Sequence, residues 1–206
     1  MTCKVDILKN NQFQTSEWSG GTTTQIAIYP EDAVYNERNF IWRISSAKVE
    51  VEESTFTHLP GINRIIMVLE GELELIHEGH HRCKLQAFEQ DSFNGSWNTK
   101  SYGKVVDFNL MMNENAIGSL ESIFIGKDQE KKFSLSVAEK PYSKNTQLVY
   151  CVSGNIKIYI PDVENTLSLH EGEAIILTAD EAGPTKFILS NVQENMAKLV
   201  KVNIMY

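Results

Sequence analysis

Two stretches of this chain read as the same hairpin. Val68-Leu-Glu-Gly71-Glu-Leu-Glu-Leu75 returns as Cys151-Val-Ser-Gly154-Asn-Ile-Lys-Ile158, with an apolar pair, a polar residue, a turn glycine, and then polar and apolar residues in alternation. Self-similarity at a long period identifies an architecture before any motif does. A second pair follows in the same order: Phe88-Glu-Gln-Asp-Ser-Phe93 lines up with His170-Glu-Gly-Glu-Ala-Ile175 after a one-residue adjustment. Each half therefore runs hairpin, loop, turn, strand, with glycine where the backbone needs an unusual angle. That unit builds a double-stranded β-helix, so the expectation is an all-β chain of two jelly-roll barrels.

The remaining pattern agrees. Short runs rich in Val, Ile, Phe and Tyr alternate with turn residues, as half-buried strands do. Strands are expected at Gln25 to Tyr29, Phe40 to Val51, Asn63 to Leu69, Glu72 to Ile76, Lys104 to Met112, Phe133 to Val137, Gln147 to Val152, Asn155 to Ile160, Ala174 to Leu177 and Lys186 to Leu189. The best helical window is Gln193 to Val200. The polar stretch from Asn113 to Gly118 makes a natural seam, giving barrels at 1–112 and 119–206, with terminal strands free to pair in the opposite half.

With 206 residues, 42% of them hydrophobic, the chain can bury a core without staples. A net charge of −8, with no local run of Lys or Arg, argues against nucleic acid and anionic membrane as partners. Three widely spaced cysteines, Cys3, Cys83 and Cys151, fit reduced thiols better than a disulfide framework. The first residues carry Lys4 and Asp6 where a signal peptide needs an apolar run, and no stretch reaches the roughly 20 apolar residues of a membrane span. A cytoplasmic location is expected.

Four segments carry a family resemblance: Trp18-Ser-Gly-Gly-Thr-Thr-Thr-Gln-Ile26, Trp42-Arg-Ile-Ser-Ser-Ala-Lys-Val49, Phe56-Thr-His-Leu-Pro-Gly-Ile-Asn-Arg64 and Asp107-Phe-Asn-Leu110. In that order they resemble the landmarks of HutD/Ves proteins, which are bicupins of the RmlC-like superfamily associated with histidine utilisation or stress responses. Ser19 and the short Gly20-Gly21 pair lie closer to the Ves-like branch. The resemblance implies a bicupin fold and a pocket.

Metal-dependent cupins place two His and a Glu ahead of the hairpin glycine and a third His on a later strand. Counting back from Gly71 with that spacing puts Arg64 at the Glu position and His58-Leu-Pro60 at the His-x-His. From Gly154 the same count reaches Gln147, preceded by Pro141, Tyr142 and Ser143. Neither barrel supplies the usual ligands, so no metal and no cofactor are expected. A second His cluster, His77-Glu-Gly-His80-His81, follows an alternating strand and is expected to decorate a solvated hairpin end, where any nickel or zinc would be adventitious.

The first half offers a different constellation. Arg43, Ser45, Ala47 and Val49 share one strand face, Arg64, Ile66 and Val68 another, and Asp107 and Asn109 a third, with Thr22, Thr23 and Thr24 after the glycine pair. Pointed inward, these faces make an anion receptor: Arg43 and Arg64 clamp a carboxylate, while Asp107, Asn109 and Thr24 orient it, with Trp18 as a roof and His58 nearby. The expected partner is a small anionic metabolite. The same residues also suit a buried Arg–Asp pair that fixes strand register, with Trp18 merely packing on Gly20 and Gly21. Two other functions stay open: a metal-independent isomerase or hydrolase using Asp107 and His58, and a non-catalytic assembly protein. Pairing of sheet edges into a homodimer is also expected.

Overall fold

A computed structural model describes residues 3–161, 166–179 and 185–206. They form strands almost throughout, and helical structure among them is confined to two short 3-10 turns at Asn10–Gln12 and Tyr35–Glu37. The chain divides into two units, Phe13–Ala116 and Met1–Gln12 with Ile117–Tyr206, each built of one larger and one smaller sheet. The fold is all-β, a bicupin of two double-stranded β-helix barrels.

The chain opens with β1 (Cys3–Leu8), which pairs antiparallel with β17 (Ala174–Ala179), from Cys3 opposite Ala179 to Leu8 opposite Ala174. The first strand thus belongs to the sheet of the second barrel, and the first barrel begins at Phe13 where the sequence put it at residue 1. The reason is apolar: Cys3 is buried among Ile123, Val149 and Leu177, and Val5 and Ile7 pack on the same cluster.

In the first barrel the six-stranded sheet runs β2 (Gln14–Trp18), β3 (Gly21–Tyr29), β4 (Trp42–Val49), β11 (Val106–Met112), β6 (Asn63–Glu70) and β9 (Gln90–Asn94). Facing it are β5 (Glu53–Thr55), β10 (Thr99–Tyr102), β7 (Leu73–His77) and β8 (Arg82–Leu85). In the second barrel β1 and β17 continue into β14 (Asn145–Ser153), β19 (Ala197–Met205) and β12 (Ile117–Ile125). Its smaller sheet orders β13 (Gln129–Leu135), β18 (Thr185–Asn191), β15 (Asn155–Tyr159) and β16 (Leu167–His170).

The repeated hairpins are β6–β7 and β14–β15, turning at Gly71 and Gly154, each with φ near +89°. Phe88 and Gly172 occupy the second repeated turn, both with positive φ, and donate their N–H groups to Val68 and Cys151 at 2.6 and 2.7 Å. A Cβ on Gly71 would lie 2.6 Å from the Lys104 carbonyl oxygen, whereas one on Gly154 would meet the Ala197 Cα at 3.2 Å. Gly71→Ala is therefore expected to cost about 2–3 kcal/mol and Gly154→Ala about 1–2 kcal/mol in urea unfolding, since both nearest atoms are backbone and only the contact at Gly71 is too short to keep without a shift. Equal costs would contradict this ranking.

The window at 193–200 is no helix. Asn191 accepts the Gln193 N–H at 2.8 Å and donates to the carbonyls of Ile125 and Asn195 at 2.9 and 2.8 Å, tying a turn there. From Ala197 the apolar residues alternate into the core and pair with β12 and β14, so strand period wins over helix propensity. Phe187, Leu189, Leu199 and Val149 are fully buried in that barrel. Each such side chain contributes about 1.5–3 kcal/mol. The first barrel is apolar around Ile66, Val68, Leu73, Leu75 and Phe93.

Candidate functional site

Strand register turns the three separate faces of the sequence into one surface. Partnered residues on neighbouring strands point the same way. One row runs Arg43, Met111, Arg64, Phe93 across β4, β11, β6 and β9; the next runs Gln25, Ser45, Asn109, Ile66; a third runs Ser16, Thr23, Ala47, Asp107, Val68. Arg43, Arg64, Asp107 and Asn109 therefore share the inner face of a single sheet, and all four are buried.

They line a cavity of about 250 Å³ inside the first barrel. Its polar wall is Arg43, Ser45, Arg64, Asp107 and Asn109, with Ser16, Thr23, Ser54 and Ser101 adding hydroxyls. Tyr35, Phe56, Leu73, Met111 and Trp18 supply apolar surface.

Each guanidinium is held differently. Arg43 donates from Nε to Gln25 Oε1 at 2.8 Å and from Nη1 to Ser45 Oγ at 3.1 Å, and its cation lies over the Tyr35 ring at 4.3 Å. Arg64 lies over the rings of Phe56 and Phe93 at 4.6 and 5.1 Å and donates from Nε to Asn109 Oδ1 at 3.4 Å. Burial lowers the pKa of both arginines, and Arg64 comes down to about 10, with Arg43 adding repulsion. Both remain cationic near neutrality.

Asp107 is the group under most stress. Burial pushes its carboxyl up to about 7, against the opposing pull of Arg64 and a bond from Asn109. Its Oδ1 is buried with no hydrogen-bond partner among the described residues. Arg64 and Asp107 attract one another within the barrel, as a register-fixing pair would also require. Two cations and a carboxyl that is half neutral at pH 7 leave the cavity positive, a setting that favours an anion.

The other expected residues fall out as follows. Trp18 both lines the cavity and packs on Gly20, where an added Cβ would come within 2.1 Å of its ring. Thr24 does not line it: its hydroxyl bonds to Thr15 at 2.9 Å on the opposite face, and Thr23 takes the inward place. His58 is exposed in a loop and outside the lining, so it does not meet Asp107 there. Tyr35, Gln25 and Phe56 hold the arginines yet were not singled out as site residues in the sequence. Phe56 lies in the same quoted segment as His58 and Arg64.

The lining has no His, Cys or Glu, and its two guanidinium groups repel cations, so the donor set does not fit the metal that the cupin fold implies. In the second barrel Gln147, the counterpart of Arg64 by position from the hairpin glycine, donates to Asn203 Oδ1 at 3.1 Å, a neutral amide pair.

The second His cluster is a solvated hairpin end at His80 and His81, as expected, but not at His77. His77 is buried, with Nδ1 bonded to Thr99 Oγ1 at 2.8 Å and Nε2 to Asp91 Oδ2 at 2.9 Å, while His81 Nε2 reaches the same carboxylate at 3.0 Å. His80 and His81 both stay exposed, and His80 stacks on Trp97 with ring centroids 3.8 Å apart.

Comparison with known proteins supports the architecture. The HutD family model matches residues 10–195. A conserved protein of unknown function, PA5104 from Pseudomonas aeruginosa PAO1, superposes with a TM-score of 0.78 at 22% identity, covering 98% of both chains. HutD from Pseudomonas fluorescens SBW25, solved in a formate condition, gives 0.72 at 19% identity over 98% of this chain and 100% of that one. The pirin YhhW from Escherichia coli, in complex with nickel(II), gives 0.67 at 10% identity over 97% and 98%. No curated protein matches the sequence.

Proposed function

The chain belongs to the HutD family, and from that premise we propose that its first barrel binds a small metabolite through a carboxylate seated between Arg43 and Arg64. One observation carries this reading: the buried Oδ1 of Asp107 has no hydrogen-bond partner among the described residues, in one cavity whose lining holds two guanidinium groups. Buried polar groups are almost always paired, so one left open inside a cavity marks a place for a ligand. Planar paired donors suit a carboxylate.

Size limits the ligand. About 250 Å³ lies just below the usual range of small-molecule pockets, roughly 300–1,000 Å³, which suits a small acid. The neutral form of Asp107 is the useful one, because its O–H donates a hydrogen bond to a carboxylate oxygen where the ionised form repels it. No metal takes part in this binding: the guanidinium pair does the work of a cation. Formate, the condition named for the Pseudomonas fluorescens relative, is the simplest probe, and histidine-derived acids come next. Cys3, Cys83 and Cys151 form no disulfide, which suits a reducing cytoplasm for such a metabolite-binding protein.

Titration calorimetry of formate, acetate and longer carboxylates, in buffers of different ionisation enthalpy, tests the reading. Saturable binding is expected, about tenfold tighter at pH 6 than at pH 8 for a group titrating near 7, with proton uptake at pH 8. An acid panel that produces no heat at either pH would sink it.

A further inference from the structure

The hairpin between β7 and β8 brings His77 and His81 face to face, the His77 N–H donating to the His81 carbonyl at 2.9 Å. Cys83 lies opposite Leu75 one inward position along, and so joins them. Asp91 comes from β9 in the other sheet, where it is paired with Ile66 and turns toward the same interior. One ligand atom from each of His77, His81, Cys83 and Asp91 lies within 4.8 Å of all the others. Two imidazoles, a thiol and a carboxylate are a borderline-soft donor set that suits zinc better than calcium or magnesium.

We propose that His77, His81, Cys83 and Asp91 form a four-coordinate zinc(II) site that ties the β7–β8 hairpin to β9. Two geometric features favour it. Tetrahedral zinc, with bonds of about 2.0–2.3 Å, holds its ligand atoms roughly 3.2–3.8 Å apart. Asp91 already stands 2.9 Å from the His77 Nε2 and 3.0 Å from the His81 Nε2, slightly inside that spacing, and all four ligand atoms lie within 4.8 Å of one another. The His77 Nδ1 is also occupied by the fully buried Thr99 hydroxyl at 2.8 Å, which leaves Nε2 as the ligand atom, the outer-shell arrangement that metal-binding histidines use. Access comes from the solvent side, since the His81 side chain is 39% exposed and Asp91 17%. The site is separate from the anion cavity, whose lining includes none of these four residues. Its role is structural, because four protein ligands leave no open position for a substrate.

The test uses the full chain stripped with a chelator, then titrated with zinc(II) against a chromophoric competitor and, separately, with cobalt(II). One zinc per chain is expected, with a Tm that rises on adding zinc. The cobalt form is expected to show intense tetrahedral ligand-field bands and a thiolate charge-transfer band. Cys83→Ser should remove the charge-transfer band, and His81→Ala should weaken zinc on the order of a hundredfold, while His80→Ala changes neither. The metal-free Tm of each variant, held near that of the stripped parent, shows that the barrel still folds. No retained zinc, a cobalt spectrum without thiolate character, or binding lost with His80→Ala and kept with Cys83→Ser would overturn the site. In that case Asp91 serves only as a hydrogen-bond acceptor for two imidazoles.

Discussion

Arg64→Met is expected to weaken carboxylate binding by about 100-fold or more while the barrel stays folded. A guanidinium fork makes two charge-assisted bonds, each worth about 1.5–3 kcal/mol where water is excluded, and about 2.8 kcal/mol corresponds to two decades in Kd. Methionine keeps an unbranched stem between the Phe56 and Phe93 rings that flank the cation at 4.6 and 5.1 Å. What the fold loses is a cation–π contact of about 1–2 kcal/mol, and it is relieved of a buried charge. Arg64→Lys should fall between the two proteins, since lysine retains the charge without the planar pair of donors. Calorimetry beside a urea titration separates the outcomes. Unfolding of Arg64→Met, or unchanged affinity in a folded variant, would assign Arg64 to structure alone.

The second large effect concerns Asp107 and pH. Its carboxyl titrates near 7 in the fold, against 3.8 when freely solvated, because burial disfavours the charge. A group whose folded pKa is raised contributes stability that is fully present below the unfolded value and lost as pH rises through the folded one. Stability from Asp107 is thus intact below about pH 4, declines between 4 and 7, and is gone above 7. The span corresponds to about 4 kcal/mol at 1.36 kcal/mol per pH unit. Asp107→Asn stays neutral throughout, so its advantage over the parent should be largest at pH 8 and should shrink steadily toward pH 4. The variant should also lose the proton uptake on binding. Urea midpoints from pH 4 to 8 measure this, and parallel curves for the two proteins would show that Asp107 titrates normally.

Much of the fold was legible because two hairpins and two turns repeat in order, and the repeat needs only local signals. Register was not legible. Arg43, Arg64 and Asp107 looked like residents of three faces, and only pairing across β4, β11 and β6 shows that they share one. Three consecutive threonines at 22–24 leave the parity of the strand open, and pairing of Thr23 with Ala47 settles it in favour of Thr23 over Thr24. At His77 the Glu-Gly turn that follows competes with period-2 alternation. Leu73, Leu75 and His77 are all buried, so extending the alternation by one step would have found it. Tyr35 sits in a polar loop, where no periodic signal reaches it. β2, β5 and β8 are short and polar, and only pairing with neighbours makes them strands.

A crystal structure grown with formate puts the guanidinium clamp to its most direct trial. Density for a planar three-atom anion is expected against the terminal nitrogens of Arg64, within reach of Arg43 and with an Asp107 oxygen at hydrogen-bond distance. A cavity holding only water at saturating formate, or formate bound solely elsewhere on the chain, would contradict the account.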